Sequence, residues 1–517
     1  MAIPSNPDYP DILTSLRSNF GTYTSDVRDF SKCLHDAEYS ASQIESKIIS
    51  LRNEQQKIFL LIDRYRSLLA PIRRLPPEIL LRVFVLCCPE SKVAKEMDCP
   101  VVRLSQVCAG WRDLALKTSS LWAAMRIDLY HSKHDMLKIN RMINAHLTLS
   151  RRSPLHLSFV LPHASVDKAQ AVVDLLVRHC ARWGSLSLDV SQGVLLYPSL
   201  AAVKDNLPLL ERLELWPPSS YEIEYSTTQS ILGLFSVAPM LRYLNLGSLD
   251  HASDAVETTD VQVPWAQLID LTLWYQQPSN ILRRLSQASA ARTVIIDCCY
   301  VSETVQSDHA LVHNMENLTI CVDRFDPHFN FYLQQLTLPR LKCLCLSGED
   351  NSKAIFPSAS MLIFLTRSAC SLTTLRLLNL YNSDLTVLNV LQEVPSLLHL
   401  TIHEHPIKGG DGNTTLTDHF IDRISFNHRS SSCSSHLLHH LQSLSLQVRQ
   451  PFNVSSFVRM VQSRWLVSET DAKVLGLRQV ELICVGTIPS EFEEAVRSLK
   501  MLKVVGLRFG LTSRDAK

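Results

Sequence analysis

The sequence predicts an α/β protein, and three patterns in its 517 residues support this prediction. A proline-led helical segment occupies residues 71–124, and short L-x-x-L-x-L segments recur over residues 125–510. An apolar stripe at heptad spacing runs through residues 31–70. We therefore expect a coiled-coil-like helix, then a three-helix module, then a solenoid whose parallel sheet is backed by outer helices.

The composition argues against secretion and against nucleic-acid binding. Lysine and arginine total 51 and aspartate and glutamate total 50, so a net charge of +1 gives no electrostatic reason to bind nucleic acid or an anionic membrane. We expect neither a secretory signal peptide nor a bilayer-crossing stretch of ~20 apolar residues. The 14 cysteines include no C-x-x-C pair, which is typical of reduced thiols in the cytoplasm or nucleus.

The N-terminal part of the chain predicts disorder followed by one long helix. Residues 1–30 are polar with several prolines, and we expect them to be disordered. The helix ends before Pro71, and its apolar stripe steps by three and four residues, as a coiled-coil seam does. The seam consists of Leu34, Ala37, Ala41, Ile44, Ile48, Leu51, Gln55, Ile58, Ile62, Tyr65 and Leu69. Two interpretations stay open: self-association through residues 34–69, or a single amphipathic helix folded back on the module that follows.

Residues 71–124 predict three short helices. Pro76 and Pro77 suit the start of the first, because proline is favoured at the first helical position, and Glu78 places a negative charge where the helix dipole favours it. Pro89 ends this helix, and a second helix and a short last turn carry further apolar residues on one face. So small a unit buries little of its apolar surface internally, which indicates a docking partner.

The same segment resembles the F-box. It matches the family pattern at Leu75, Pro76, Glu78, Ile79, Leu80, Val83, Phe84, Val107, Cys108, Trp111, Leu121 and Trp122. It departs from the pattern between Cys87 and Pro100, where the family has a shorter connection. The resemblance implies docking on the Skp-family adaptor of a cullin-type ubiquitin ligase. The side chains it implies for that contact are Leu75, Pro76, Ile79, Leu80, Val83, Phe84, Val107, Cys108, Trp111, Leu114 and Trp122.

Residues 125–510 predict a repeat array. The clearest copies follow Pro208 and Pro239, and most copies lie about 23 to 31 residues apart, as in leucine-rich repeats. Alternate leucines of each short strand point inward, so stacked copies bury one continuous core. We expect the first strand at residues 125–129 and the last copy at Leu502, Val505 and Leu507. The asparagine usual after the strand is mostly missing, so the array resembles the irregular leucine-rich arrays that commonly follow an F-box.

One interval of the array is too long for a single repeat. It lies between Leu400 and Leu444 and contains glycine-rich and serine-rich stretches. Such compositions are typical of loops. We therefore predict a loop insertion over about residues 405–437.

The sequence contains no catalytic motif, so we expect no enzymatic activity and no cofactor. The nearest approach to a metal site is His403-Glu404-His405, where two histidines share one side of a strand. Two ligands alone make a weak zinc site, so we predict no bound metal.

The outward face of the predicted sheet is the expected target-binding surface. Alternation places eight side chains of three neighbouring strands there: Arg212, Glu214, Trp216, Tyr243, Asn245, Asp270, Thr272 and Trp274. If the strands are in register, Trp216, Gly247 and Trp274 form one row, with the tryptophans roughly 10 Å apart over a bare glycine. This row predicts a slot that takes one side chain of a target.

These predictions favour an adaptor that binds a ubiquitin ligase through the F-box-like module and an unknown protein target through the array. Such an adaptor supports ubiquitin-dependent protein degradation by positioning its target, without chemistry of its own. The alternative is a non-degradative protein-interaction scaffold.

Overall fold

The structure is a computed structural model. It describes residues 17, 24–94, 97–129, 135–160, 166–189, 198–216, 231–247, 263–274, 276, 278–297, 310–322, 329–349, 354–404, 416–426, 437–448, 453–465, 476–485, 494, 496–504 and 506–514. The chain forms two compact units, Met1–Val83 and Phe84–Lys517.

The first unit is dominated by one long helix, α1 (Thr24–Leu69), of 46 residues. It contains neither glycine nor proline, and a 3-10 turn at Pro71–Arg74 follows it. The helix begins inside the segment predicted to be disordered, so that prediction is wrong from Thr24 onward. The physical reason is that Val27 and Phe30 extend the heptad stripe by one more repeat. The other residues of 1–23, apart from residue 17, lie outside the described part of the chain.

Two of the three helical elements predicted for residues 71–124 are present as expected: the first helix is α2 (Pro77–Cys87), and the short last turn is a 3-10 turn at Ser119–Trp122. The predicted second helix, with Leu104 to Ala115 on one face, is divided into two helices, α3 (Pro100–Ser105) and α4 (Ala109–Lys117). Between α2 and α3 lies a strand, β1 (Ser91–Ala94), which pairs in parallel with the next strand of the chain. The sheet therefore begins earlier than predicted. This strand lacks the leucine pattern, because Val93 is the only large apolar side chain that it buries.

Within the described residues, fifteen parallel strands form the main sheet, and their spatial order follows the order of the chain. After β1 they are β2 (Ala124–Asp128), β3 (Leu155–Val160), β4 (Trp183–Asp189), β5 (Arg212–Trp216), β6 (Tyr243–Leu246), β7 (Asp270–Trp274), β8 (Thr293–Asp297), β10 (Asn317–Val322), β12 (Cys343–Gly348), β13 (Thr374–Leu380), β14 (His399–Glu404), β15 (Ser443–Val448), β16 (Gln479–Val485) and β17 (Arg508–Arg514). Two short strands, β9 (Leu311–Val312) and β11 (Leu336–Thr337), form a second parallel pair.

Helices alternate with these strands, as in a solenoid. They are α5 (Met136–Leu149), α6 (Val166–Val177), α7 (Pro278–Gln287), α8 (Asn330–Gln335), α9 (Ser358–Ser368), α10 (Asp384–Gln392), α11 (Asp418–Ile424), α12 (Val454–Trp465) and α13 (Arg497–Val504). The predicted α/β architecture with a parallel sheet and alternating helices is confirmed. None of the helices in the described residues carries an apolar stretch long enough to cross a bilayer.

The leucines of the repeats form one ladder. Leu213, Leu244 and Leu271 are direct neighbours in register on β5, β6 and β7, and all are buried. The same alternation continues along the array, so that the inward side chains of successive strands share one apolar core. A single repeat buries too little surface to fold alone, and stacking removes this surface from water.

The structure corrects two details of the predicted array. The last copy is shifted, because Leu502 lies in α13 and β17 places Phe509 and Leu511 against the core. The predicted loop insertion at 405–437 contains a helix, α11, whose Thr417 cap accepts a hydrogen bond from the Phe420 N–H at 3.1 Å. Residues 405–415 and 427–436 of this interval lie outside the described part of the chain.

Candidate protein-docking surfaces

Helix α2 presents apolar side chains on two sides. Leu80 and Phe84, one turn apart, are buried. Ile79 and Leu86, seven residues apart on another face, are 45% and 83% exposed. A surface helix of a monomer normally has one apolar face, so the exposed one indicates a partner.

The start of α2 is set by its two prolines. Residues Pro71–Arg74 form a 3-10 turn, and Leu75 follows in extended backbone, as expected of a residue before a proline. The Leu80 N–H then donates to the Pro76 carbonyl at 3.0 Å, which closes the first turn. Leu75 is itself 38% exposed. The apolar side chain that precedes the helix is therefore also available to solvent.

The helices after β1 place a second set of apolar side chains. Val107, in the turn between α3 and α4, is 58% exposed, and Cys108 at the start of α4 is half-buried. Trp111 is half-buried because its ring meets the edge of the Phe84 ring, with centroids 4.8 Å apart. Leu114, on the same helix, is also half-buried.

Trp122 links this module to the first repeat. Its ring is buried, its Nε1–H donates to the Ala115 carbonyl at 2.9 Å, and it contacts His146 of α5 edge-on at 5.2 Å between centroids. Burial lowers the pKa of His146, so this contact is made by a neutral imidazole. Trp122 therefore fixes structure within this unit, and a partner does not reach it.

The residues predicted to contact a ligase adaptor thus fall into two groups. Exposed or half-buried side chains are available to a partner: Leu75, Pro76, Ile79, Val83, Val107, Cys108, Trp111 and Leu114. Leu80, Phe84 and Trp122 are buried, with Phe84 in contact with Trp111 and Trp122 in contact with His146. Sequence reasoning missed the exposed Val85, Leu86 and Leu116, because the family pattern does not mark those positions.

On the outward face of the sheet, Trp216, Gly247 and Trp274 each follow directly after Leu215, Leu246 and Leu273, which are in register on β5, β6 and β7. The Gly247 N–H donates to the Leu215 carbonyl at 2.9 Å. The predicted slot is nevertheless closed, because the two tryptophan rings lie 5.6 Å apart between centroids, at 59° to one another. Glycine has no side chain to keep them apart, and the two rings remove apolar surface from water by meeting above it.

A groove does exist on the same face, further toward the N-terminal end of the sheet. It has a volume of about 530 Å³. Its polar lining consists of Glu90, Arg126, His156, Ser158, Ser185, Ser187, Arg212 and Glu214, and Trp216 forms an aromatic wall. Apart from Glu90, which precedes β1, these polar side chains follow from strand alternation, since β2 to β5 carry them outward while their apolar residues point to the core.

Hydrogen bonds and a ring contact fix the geometry of this groove. The His156 Nδ1 lies 2.9 Å from Ser185 Oγ, and the Trp216 Nε1–H donates to Ser187 Oγ at 3.0 Å. The Arg212 guanidinium lies 4.4 Å above the Tyr243 ring, a cation–π distance. The groove therefore combines an aromatic wall, hydroxyl groups and two arginines in one ordered surface.

Three of the predicted target-binding residues line the groove, namely Arg212, Glu214 and Trp216. The other five lie on the neighbouring strands β6 and β7 of the same face: Tyr243, Asn245, Asp270, Thr272 and Trp274. The structure adds the outward residues of β2, β3 and β4. Alternation applied to those strands would have identified them, because their inward leucines are plain in the sequence.

The described residues contain no group of three or more histidine, cysteine or acidic side chains that could hold a metal ion. His403 Nε2 lies 3.5 Å from Ser445 Oγ, and Ser445 donates to Glu481 Oε2 at 2.8 Å. The serine stands between the histidine and the carboxylate here, whereas nucleophilic catalysis needs the histidine in the middle. His405 lies outside the described residues.

Comparison with known protein families supports the resemblance of the helical segment to the F-box. The family model of the F-box-like domain matches residues 72–128. No curated protein matches the chain. The long parallel sheet is consistent with a leucine-rich-repeat-like array. Residues 72–128 are thus an F-box-like domain, which implies binding of a Skp-family adaptor.

Proposed function

We propose that this protein is the substrate-recognition adaptor of a Skp–cullin–F-box ubiquitin ligase. The observation that carries the proposal is the F-box-like domain at residues 72–128, whose helix α2 exposes Ile79 and Leu86 to solvent. Apolar side chains on a short helix lose free energy when a partner covers them, roughly 25 cal/mol for each Å² removed from water. A Skp-family adaptor is the partner that this domain implies, and a cullin joins through it.

The array supplies the other half of the proposal. The groove across β2 to β5, together with the neighbouring outward side chains of β6 and β7, holds a protein target. Trp216 serves as the aromatic anchor, since tryptophan and arginine dominate the energetics of protein interfaces. The protein contributes no chemistry in this function. It raises the effective concentration of the target near the ubiquitin-carrying enzyme. A place of action in the cytoplasm or nucleus follows from the same proposal.

The ligase contact is tested with Ile79→Asp in the full chain. A carboxylate at this position is buried without a partner when the adaptor docks, so we expect co-purification with the Skp-family adaptor to be lost. Ile363→Asp on α9 is the matched control, because Ile363 is also exposed and lies in the array. Equal recovery of the adaptor with wild type and Ile79→Asp contradicts the proposal. Absence of binding by wild type favours the scaffold interpretation instead.

The target contact is tested with the charges of the groove reversed. Arg126→Glu combined with Arg212→Glu changes two exposed side chains, so we expect the fold and adaptor binding to be unaffected. Both proteins of the comparison carry Ile79→Asp, which blocks ligase docking and thereby degradation of the target. We expect Ile79→Asp alone to retain associated proteins that are lost when Arg126→Glu and Arg212→Glu are added. Quantitative mass spectrometry of the two purified complexes makes this comparison. An unchanged set of associated proteins would remove the groove from the proposed function.

A further inference from the structure

The long helix α1 exposes its whole seam. The apolar seam residues from Leu34 to Leu69 are all solvent-exposed, including Leu51 at 63%. Toward the C-terminal end of the helix, further large apolar side chains occupy the e and g positions beside the seam: Phe59, Leu61 and Leu68. A helix of 46 residues with this surface is stable in water when another helix covers the seam.

We propose that α1 pairs with α1 of a second copy of this protein, as an antiparallel two-stranded coiled coil centred between Ile49 and Ser50. The steps of three and four assign the seam to heptad positions. Positions a are Leu34, Ala41, Ile48, Gln55, Ile62 and Leu69, and positions d are Phe30, Ala37, Ile44, Leu51, Ile58 and Tyr65. In an antiparallel pair each a residue faces a d residue of the other helix.

Side-chain size selects the antiparallel arrangement. In the proposed register Ala41 faces Ile58 of the second copy, and Ala37 faces Ile62. Small residues thus meet large ones at every alanine, which fills the seam evenly. The same register places Leu61 beside Ser40, and Leu68 beside Cys33. The end of one helix with large side chains beside the seam thus meets the end of the other helix with small ones. A parallel pair in register sets each alanine against itself and leaves cavities.

The charged positions beside the seam select the same arrangement. In an antiparallel pair, a residue at g faces a residue at g of the other helix, and a residue at e faces one at e. Lys47 and Glu54 are at g, and Glu45 and Arg52 are at e. The proposed register therefore brings Lys47 next to Glu54 and Glu45 next to Arg52, each twice by symmetry. A parallel pair in register instead sets Lys47 against Arg52 of the second copy, which is repulsive.

Sliding the antiparallel pair by one heptad in either direction also creates repulsion. One shift sets Glu54 against Glu54 and Arg52 against Arg52 of the second copy. The other sets Lys47 against Lys47 and Glu45 against Glu45. Among these registers, only the proposed one contains no like-charged pair at e or g. Charge complementarity therefore identifies the occupant of the seam as the same helix, reversed.

This pairing has a consequence for the assembly. The F-box-like domain of each copy begins at residue 72, just after Leu69. In the proposed register Leu69 lies beside Phe30 of the second copy. The two Leu69 residues are then roughly 60 Å apart, at 1.5 Å per residue. The dimer thus carries two F-box-like domains, which begin at opposite ends of the coiled coil.

Orientation is tested in the full chain with two variants that each carry one cysteine in α1, namely Ala41→Cys and Ile58→Cys, each in a Cys33→Ser background. Oxidation followed by mass spectrometry identifies which peptides become linked. We expect a link between residues 41 and 58 only when the two variants are mixed, because residue 41 lies roughly 25 Å from residue 41 of the other copy. Links formed by each variant with itself indicate a parallel pair and overturn the proposal.

Charge reversal provides an independent readout, with the mass in solution measured by light scattering. We expect wild type to have twice the monomer mass of 58.4 kDa. Lys47→Glu should raise the dissociation constant of the dimer roughly tenfold at low salt, because two attractive pairs become repulsive. The added change Glu54→Lys should restore it. A parallel pair responds oppositely, because Lys47→Glu relieves its repulsion with Arg52. Tighter dimers with Lys47→Glu, or a monomeric wild type at every concentration, overturn the proposal.

Discussion

Single polar side chains hold successive repeats together in this array. Gln276, Asn379 and Gln447 each donate a side-chain amide hydrogen bond to a carbonyl at the end of the preceding strand. For Gln276 and the Gly247 carbonyl the distance is 2.8 Å. These residues do what the asparagines usual after the strands do in a regular array. Two of them are glutamines, and Asn379 lies within β13 instead of after it, which is why a search for asparagine after each strand did not reveal them.

Arginines make a similar link on the helical side. The Arg367 guanidinium donates to the Leu333 and Leu336 carbonyls at 2.6 Å each. Arg464 is buried and donates to three carbonyls, those of Ile424, Leu437 and Leu438. Burial lowers the pKa of Arg464 to about 10, so the group is still cationic near neutral pH. It thereby fixes both sides of the segment 427–436.

Arg464→Met tests this role at the scale of one residue. Methionine fills much of the space but removes the Arg464 donor from the buried Ile424 and Leu437 carbonyls, and leaves the Leu438 carbonyl with the Leu441 N–H as its donor, so we expect the free energy of unfolding to fall by about 3 kcal/mol. Urea-induced unfolding measures the change. Arg459→Met, an exposed position on the same helix, serves as the control and should change stability by less than about 0.5 kcal/mol. Equal effects of the two substitutions would contradict the account of Arg464.

At the scale of secondary structure, different side chains of helix α2 serve stability and binding. Phe84 is fully buried in contact with Trp111, whereas Leu86 is 83% exposed. The sequence predicted the helix correctly, because its prolines and apolar spacing are local signals. It did not distinguish the buried from the exposed apolar residues, because that division depends on contacts with residues distant in the chain.

Substitutions on the two faces should therefore have opposite effects. Phe84→Ala removes a buried ring, so we expect it to destabilise the F-box-like domain by about 3–5 kcal/mol. Leu86→Ala should leave stability within about 0.5 kcal/mol of wild type while weakening adaptor binding. Thermal unfolding and the dissociation constant for the Skp-family adaptor are the two measurements. A Leu86→Ala protein that binds the adaptor as wild type does would exclude this side chain from the interface.

The same scale explains two predictions that were wrong. Strand β1 (Ser91–Ala94) was missed because it is recognised by its pairing with β2, and four residues with one large apolar side chain give no pattern. The slot between Trp216 and Trp274 was predicted from backbone spacing alone. Backbone spacing gives the register of two side chains but does not give the direction in which large rings lean over a glycine.

At the scale of the whole molecule, the repeat pattern predicted the parallel sheet because stacked leucines have no other way to share one core. The boundaries were less predictable. The sheet begins inside the F-box-like segment and ends at Arg514, since end strands need only one neighbour and tolerate weaker patterns. The groove was missed because it is a property of four strands together, although each outward residue follows from alternation.

The central claim is that residues 72–128 dock on a Skp-family adaptor while the outward face of the array stays available for a target. Amide hydrogen exchange of the full chain, with and without the adaptor, measures this most directly. We predict slower exchange in α2 (Pro77–Cys87), α3 (Pro100–Ser105) and α4 (Ala109–Lys117), and unchanged exchange in β6 to β17. Unchanged exchange in these helices at saturating adaptor, or slower exchange only in the array, would contradict the account.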